Sequence, residues 1–177
     1  MTPRVLFTCM GVGLAALCAP VVMPVATRDR VFVVYNPSDS VPRGWYRIGR
    51  MESAASLHIG SIVLAQLPAD VAAFAAQRGY LPSSVPILKR IGALAPQSVC
   101  VRGPLVYVDG AVVASVRTHD SAHRALQAWA QCRALVAGEL FLLGETNPAS
   151  FDSRYFGPIS ASAVLGVARP LWTWSSP

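Results

Sequence analysis

Apolar residues form one long run at the N-terminus of this chain and many short runs after it. Val5 to Thr27 contains no charged side chain, and at about 1.5 Å of rise per residue a helix of this length crosses a hydrocarbon core of roughly 30 Å. We therefore expect residues 1–27 to form one membrane anchor and residues 28–177 to form one domain. A cleaved secretory signal is the alternative, but Val25-Ala26-Thr27 matches its cleavage site poorly. The short N-terminal tail favours export of the domain.

The short apolar runs are separated by glycine, proline and other turn-forming residues, which is typical of strands. Residues 69–80 carry apolar side chains at helical spacing and predict an amphipathic helix. Asp109-Gly110 is a strong hairpin signal. Residues 122–129 are either helical or a structured loop, and residues 144–157 are predicted as a long loop. The predicted strands are residues 31–35, 45–48, 60–67, the segment around Lys89, 98–101, 105–108, 111–114, 139–143 and 163–168, which favours a mostly β, antiparallel domain.

The formal net charge of +6 is spread along the chain as single arginine residues. Nucleic-acid-binding domains cluster their basic residues on one face, so we expect no nucleic-acid partner. Proximity to anionic lipid headgroups accounts for a mildly basic exported domain. His119 and His123 are spaced to share a helix face, but without a third ligand nearby we expect no metal site.

Two of the four cysteines, Cys9 and Cys18, fall inside the predicted anchor. The other two, Cys100 and Cys132, lie in the domain. Because exported proteins form disulfides readily, this pair is a candidate disulfide. Two unpaired buried thiols are the alternative.

Lys89 is the only lysine among the 15 Lys and Arg residues. An arginine keeps its proton in a protein, whereas burial among apolar neighbours can make a lysine neutral. Lys89 follows the apolar run Val85-Pro86-Ile87-Leu88, which makes it a candidate general base. A composition biased toward arginine would also explain a single lysine.

Ser38 and Ser40 follow the first predicted strand, in a turn that would expose their hydroxyls. Serine is a weak nucleophile, and a neutral lysine amine within hydrogen-bond reach can activate it. Serines in turns are more often structural than catalytic, so this pair alone does not define a site.

Three segments together resemble the type I signal peptidase family, in the order in which that family carries them. They are Asn36-x-Ser38-x-Ser40-Val41-Pro42-Arg43-Gly44-Trp45-Tyr46, Leu88-Lys89-Arg90-Ile91 and Ser150-x-Asp152-Ser153-Arg154-Tyr155-Phe156-Gly157. The chain is most similar to the conjugative-transfer branch, the TraF-type peptidases that mature plasmid pilin precursors. The resemblance covers nearly the whole chain.

The resemblance implies a role for each serine and for the lysine. Ser40 corresponds to the nucleophile and Lys89 to the general base. Ser38 corresponds to the serine whose hydroxyl joins the backbone N–H of Ser40 in the oxyanion hole. Ser150 corresponds to the serine that orients the lysine amine.

Asp152 and Arg154 correspond to a structural ion pair that supports the catalytic pair. A carboxylate beside the lysine would keep the amine protonated. We therefore expect Asp152 to contact Arg154 and not Lys89.

By resemblance, the fold is a signal-peptidase-like antiparallel β catalytic domain with one N-terminal transmembrane helix. The implied activity is that of a serine endopeptidase that cuts a pilin-like precursor without a cofactor; some members of the branch also join the new ends into a ring. The implied location is the bacterial inner membrane, with the domain in the periplasm. Inner-membrane lipid and other components of the conjugation machinery are the further expected partners.

The sequence departs from the housekeeping signal peptidases at two places. Val41-Pro42 directly follows Ser40, and residues 144–149 read Gly-Glu-Thr-Asn-Pro-Ala. We interpret both as signs of a dedicated substrate. A general signal peptidase and a non-enzymatic assembly module of the transfer apparatus are the alternatives; the anchor argues against a soluble self-cleaving repressor.

Overall fold

The computed structural model describes residues 32–51 and 53–174. The anchor predicted for residues 1–27 lies outside these ranges. Within them, neither helix has the length and apolar character needed to span a bilayer.

Short strands dominate the described part of the chain, and neighbouring strands there pair in antiparallel orientation. The strands are β1 (Phe32–Asn36), β2 (Arg43–Gly49), β3 (Ile62–Ala65), β4 (Ile87–Leu94), β5 (Ser98–Arg102), β6 (Leu105–Val108), β7 (Ala111–Ser115), β8 (Cys132–Ala134), β9 (Glu139–Leu143), β10 (Ile159–Ser160) and β11 (Val164–Trp174). The helices are α1 (Ala69–Gln77) and α2 (Ser153–Phe156), and two 3-10 turns cover Ala54–Ser56 and Ala161–Ala163. The predicted mostly β, antiparallel class is confirmed.

The strands form two sheets. The larger has seven strands in the order β1-β2-β11-β3-β4-β9-β10, and the smaller has four in the order β7-β6-β5-β8. The last strand, β11, therefore lies between β2 and β3. Ser40 follows β1 and Lys89 lies on β4, so the catalytic candidates come from opposite sides of β11.

The larger sheet buries apolar side chains on both faces because neighbouring residues of a strand point to opposite sides. On one face, Val63, Ile87 and Ile91 pack with Ala72 and Ala75 of α1. A second cluster contains Tyr46, Ile48, Leu64 and Leu88 together with Val41. Lys89 thus stands on a strand with buried neighbours on both sides.

The smaller sheet packs through Val99, Val101 and Val106 against Phe141 of β9. Cys100 and Cys132 are cross-strand partners on β5 and β8, and a disulfide joins them. The disulfide fixes β8 at the end of the long connection from β7.

The predicted helix and the Asp109-Gly110 hairpin are confirmed as α1 and the β6–β7 pair. Residues 122–129 form a structured loop, which was one of the two alternatives. The elements that were not predicted are β8, β10, the two 3-10 turns, α2 inside the predicted 144–157 loop, and the extension of β11 from residue 168 to Trp174. The extension passes Pro170, which normally ends a strand, and a register shift between Pro170 and Trp172 accommodates it.

Candidate active site

The side chains of Ser40 and Lys89 are in direct contact. Nζ of Lys89 lies 2.6 Å from Oγ of Ser40. Ser40 lies in the turn between β1 and β2, whereas Lys89 is held on β4 between β3 and β9. Forty-nine positions of sequence separate them, so the fold alone creates this contact.

Asn36 holds the turn that carries Ser40. Its buried side-chain amide donates to the carbonyl oxygens of Ser38 at 2.9 Å, Val41 at 3.0 Å and Pro42 at 3.2 Å. Its Oδ1 accepts from the backbone N–H of Ser38 at 3.2 Å. One side chain therefore satisfies four backbone groups of the turn, which stabilises a loop conformation that has few bonds of its own.

Lys89 is 4% exposed. Burial lowers the pKa of its amine from 10.5 to about 8; the nearby Asp152 carboxylate opposes this decrease and Arg154 adds to it. Burial dominates because the charged amine loses its hydration shell among apolar neighbours. The amine can therefore accept a proton near neutral pH.

Ser150 completes a triangle of polar atoms around the amine. Lys89 donates a hydrogen bond to Oγ of Ser150, and the hydroxyls of Ser40 and Ser150 are 3.2 Å apart. Ser150 is itself buried. Both hydroxyls therefore lie within hydrogen-bond distance of the amine.

Asp152 and Arg154 form a fully buried ion pair, with 0% and 2% of their surfaces exposed. Two hydrogen bonds join them, from Nε to Oδ1 at 2.8 Å and from Nη2 to Oδ2 at 2.7 Å. Asp152 also accepts from the backbone N–H of Gly144 at 2.7 Å. Arg154 donates further to the carbonyl oxygens of Ser115, Pro148 and Ser150.

These bonds determine the geometry of the segment that presents Ser150. Arg154 reaches the carbonyl of Ser150 at 2.9 Å, and Asp152 ties the same segment to the end of β9 through Gly144. A carbon atom added at Gly144 would lie 2.5 Å from Oγ of Ser150. Only glycine therefore fits at residue 144.

The loop of residues 144–150 also contacts the turn of the nucleophile. The backbone N–H of Glu145 donates to the carbonyl of Ser40 at 2.6 Å. The hydroxyl of Thr146 donates to the carbonyl of Asp39. Both sides of the Ser40–Lys89 contact are thus positioned by one loop.

Ser38 is exposed beside this contact. Its hydroxyl donates to Oδ1 of Asn36 at 2.8 Å. In this state its proton is engaged by Asn36, and the hydroxyl must turn away from Asn36 before Ser38 can donate elsewhere. Sequence reasoning assigned no role to Asn36, although asparagine two residues before a turn serine is a common local hydrogen-bonding signal.

Ser40 and Lys89 line an open cleft of ≈ 540 Å³ whose other walls are mainly apolar. Its lining includes Leu67, Tyr80 and Phe151, together with Leu126 of the structured loop and the preceding Ser121. Such a concave apolar site beside a polar cluster is typical of a peptide- or ligand-binding site.

Asp120 fastens the structured loop to the cleft. It accepts hydrogen bonds from the hydroxyl of Tyr80 at 2.6 Å and from Nε of Arg124 at 2.7 Å. Burial alone raises the pKa of Asp120, but the hydrogen bonds that it accepts bring the pKa well below its usual range.

In residues 32–51 and 53–174, no group of three or more His, Cys, Asp and Glu side chains could hold a metal ion.

Comparison with known proteins identifies the family. The profile described as "Signal peptidase, peptidase S26" matches residues 5–174. The chain belongs to the signal peptidase S26 family. The three motifs that suggested the resemblance therefore lie in the matched range.

The relatives of this S26 family member include proteins named for plasmid transfer. A "Conjugal transfer protein TraF" of Agrobacterium fabrum is 32% identical, over 98% of this chain and 99% of the relative. A "Plasmid transfer protein TraF" of Escherichia coli is 28% identical, over 78% of this chain and 82% of the relative. The resemblance to the TraF-type branch is confirmed.

A solved structure of a signal peptidase I from Enterococcus faecalis V583 also matches this S26 family member. Its TM-score is 0.40 at 22% identity, over 65% of this chain and 98% of the other.

Proposed function

We propose that this S26 family member is a membrane-anchored serine endopeptidase that uses Ser40 as nucleophile and Lys89 as general base. Its substrate is a pilin-like precursor of a conjugation apparatus, cut on the exported side of the inner membrane. The observation that carries the proposal is the 2.6 Å separation of the Ser40 hydroxyl and a lysine amine whose pKa burial lowers to about 8.

In the first step, Oγ of Ser40 attacks the carbonyl carbon of the scissile peptide and its proton passes to Nζ of Lys89. The charged amine then donates that proton to the leaving amine, and an acyl-enzyme ester remains on Ser40. Water, activated by the neutral lysine, hydrolyses the ester. If the amino end of the precursor attacks instead, a ring forms and the net change is the exchange of one peptide bond for another.

The negative charge that develops on the carbonyl oxygen requires donors aimed at it. The backbone N–H of Ser40 and the hydroxyl of Ser38 supply them, once Ser38 has rotated away from Asn36. Ser150 keeps the amine directed at Ser40 throughout. Arg154 occupies the Asp152 carboxylate, so that it does not hold the proton on Lys89.

The substrate class is supported by the relatives and by the cleft. The TraF relatives are named for conjugal and plasmid transfer, and the cleft offers an apolar surface to an extended chain. A peptide lying beside β1 could align its scissile bond through main-chain hydrogen bonds.

Co-expression of the full chain with the pilin precursor encoded by the same transfer system tests the proposal. We expect the precursor mass to fall by the mass of the removed segment, with a further loss of one water if the product is closed into a ring. Ser40→Ala and Lys89→Met should each abolish the shift at equal protein level, whereas Ser83→Ala, at an exposed serine, should not.

Two results would favour the alternatives. Cleavage of several unrelated secretory precursors would indicate a general signal peptidase. Normal processing by the Ser40→Ala variant would overturn the peptidase assignment and leave a non-enzymatic assembly module.

A further inference from the structure

The cleft of Ser40 and Lys89 is lined by residues from two different apolar clusters. We call these two parts of the lining the Leu88 side and the α1 side. The Leu88 side consists of Val34, Leu64 and Leu88, which pack in the cluster that contains Tyr46. The α1 side consists of Leu67, Ala75, Tyr80, Leu81, Ile87 and Phe151, which pack in the cluster that contains Ala72 of α1.

Strand β4 contributes to both sides and has a free edge between them. Ile87 and Leu88 point to opposite faces because they are neighbours on one strand. β4 pairs with β3 over residues 87–90 but with β9 only over residues 90–94. In the described part of the chain, residues 87–89 thus have no strand partner on the edge that faces β9. An extended peptide can add to such an edge, and its side chains then alternate between the two sides.

The position of the catalytic pair determines which substrate residue faces which side. Lys89 is two positions from Ile87, so its side chain points to the α1 side, where its amine contacts the hydroxyl of Ser40 at 2.6 Å. These two groups occupy the space beside the scissile bond on that side. The side chain of P1, the substrate residue before the scissile bond, therefore turns to the Leu88 side. The side chain of P2, the residue before P1, faces the α1 side.

The α1 side offers more uncovered apolar surface than the Leu88 side. Leu64 and Leu88 are 4% and 9% exposed, so the protein itself already covers them. Tyr80, Leu81 and Phe151 are only half-buried, and the rings of Tyr80 and Phe151 lie 5.3 Å apart. Because covering exposed apolar surface stabilises a complex, a large apolar side chain gains most on the α1 side.

The loop that contains Asp120 extends the α1 side with Leu126. Leu126 lines the cleft and is half-buried. The loop is attached to Tyr80 by the 2.6 Å hydrogen bond to Asp120, and Nη2 of Arg78 donates to the carbonyl of Ala125 at 3.1 Å. These bonds hold Leu126 beside the α1 side in the free protein, so the surface needs little ordering when a substrate binds.

We propose that the α1 side, completed by Leu126, binds the P2 side chain of the precursor and selects a large apolar residue such as leucine there. This inference rests on the proposed function, because P1 and P2 are defined by the bond that Ser40 attacks. Of the described residues that line the cleft, only Lys89 and Asp120 are charged, and both already have hydrogen-bond partners. A charged P2 side chain therefore finds no counter-charge.

Fluorogenic peptides that span the cleavage site of the precursor test the preference directly. The peptides differ only at P2, which is leucine, alanine or glutamate, and the full chain is assayed in detergent micelles. We expect kcat/KM to be about 10–50-fold higher for leucine than for alanine. Glutamate should be cut no faster than alanine. Moving the leucine from P2 to P1 should abolish the gain, since P1 faces the Leu88 side.

Substitutions of Leu126 should change the ratio of the leucine to the alanine rate. Leu126→Ala should lower this ratio about 5-fold, and Leu126→Trp, which fills the space, should lower it to about one or less. Both rates come from one preparation, so the folded fraction cancels in the ratio. Leu165→Ala is the matched control, because Leu165 is an exposed leucine of β11 that does not line the cleft. It should leave the ratio unchanged.

Peptides that end at P1 give the same comparison without proteolysis, through their Kd for the Ser40→Ala chain measured by fluorescence anisotropy. Equal Kd values for the leucine and alanine peptides would overturn the inference, as would an equal change of the rate ratio in the Leu126 and Leu165 variants. Tighter binding of the leucine peptide by a chain that cleaves neither peptide contradicts only the proposed function. Cleavage of both peptides at equal rates contradicts only this inference.

Discussion

The hydroxyl of Ser38 donates to Oδ1 of Asn36 at 2.8 Å. A hydroxyl has one proton, so Ser38 cannot donate to Asn36 and to a substrate oxyanion at the same time. Asn36 therefore holds the proposed oxyanion donor in a resting position until negative charge develops on the substrate. The exchange replaces a neutral hydrogen bond with a charged one, which favours the transition state.

We expect Ser38→Ala to lower kcat about 10²–10³-fold with little change in KM, because an oxyanion donor acts mainly in the transition state. Steady-state kinetics on a peptide that spans the cleavage site measures this. Ser83→Ala is the control. A change confined to KM would contradict an oxyanion role.

Asn36→Ala should also lower kcat, because the turn that carries Ser40 loses its bonds to three carbonyl groups. Part of this decrease in kcat should arise because Asn36 no longer positions Ser38 through its hydrogen bonds. The effect of Asn36→Ala should therefore be smaller in the Ser38→Ala background than in the native chain. Equal effects in both backgrounds would limit Asn36 to supporting the turn.

The pH dependence of kcat/KM should follow the ionisation of Lys89. Its pKa is lowered to about 8 by burial, and only the neutral amine accepts the proton of Ser40. Activity should rise about tenfold per pH unit below pH 8 and become constant above it. A rate that is unchanged between pH 6 and 9 would contradict a lysine base.

The same pKa shift predicts that Lys89 destabilises the folded state at neutral pH. The folded chain releases the proton near pH 8, and the unfolded chain keeps it up to about 10.5, so stability rises with pH between these values. Below pH 8 the whole cost of roughly 3 kcal/mol applies. Lys89→Met should therefore raise the free energy of unfolding by up to that amount at pH 7, and the gain should shrink toward pH 10. Denaturant unfolding across this range measures the difference.

Breaking the buried pair of Asp152 and Arg154 should be costly. Asp152→Asn leaves the Arg154 guanidinium buried without its partner, and we expect a loss of about 3–5 kcal/mol. Glu139→Gln, which breaks a partly exposed pair with Arg133, should cost about 1 kcal/mol or less. Similar melting temperatures for the two variants would contradict a supporting role for the buried pair.

The parts of the site that the sequence predicts are those with local signals. Ser40, Lys89 and Ser150 lie in short motifs, and the apolar run before Lys89 predicts that it lies on a buried strand. The role of Asn36 was missed because its bonds depend on the exact shape of the turn. The cleft wall at Asp120 was missed because its partner Tyr80 is 40 positions away in sequence.

The missed strands have a similar cause. β8 has three residues, and its pairing depends on the position of Cys100 on β5. The extension of β11 contains Pro170, and only a partner strand with a matching register shift makes that segment a strand. Such strands depend on partner residues that are distant in sequence, and the local pattern of apolar and polar residues does not predict those partners.

The location of β11 has a consequence for biosynthesis. Because β11 is the last strand and lies between β2 and β3, the half that bears Ser40 and the half that bears Lys89 are joined only after residue 174 has left the ribosome. A growing polypeptide therefore carries both reactive groups without a working pair. We therefore expect the contact between Ser40 and Lys89 to form only after β11 has been synthesised and has entered the sheet.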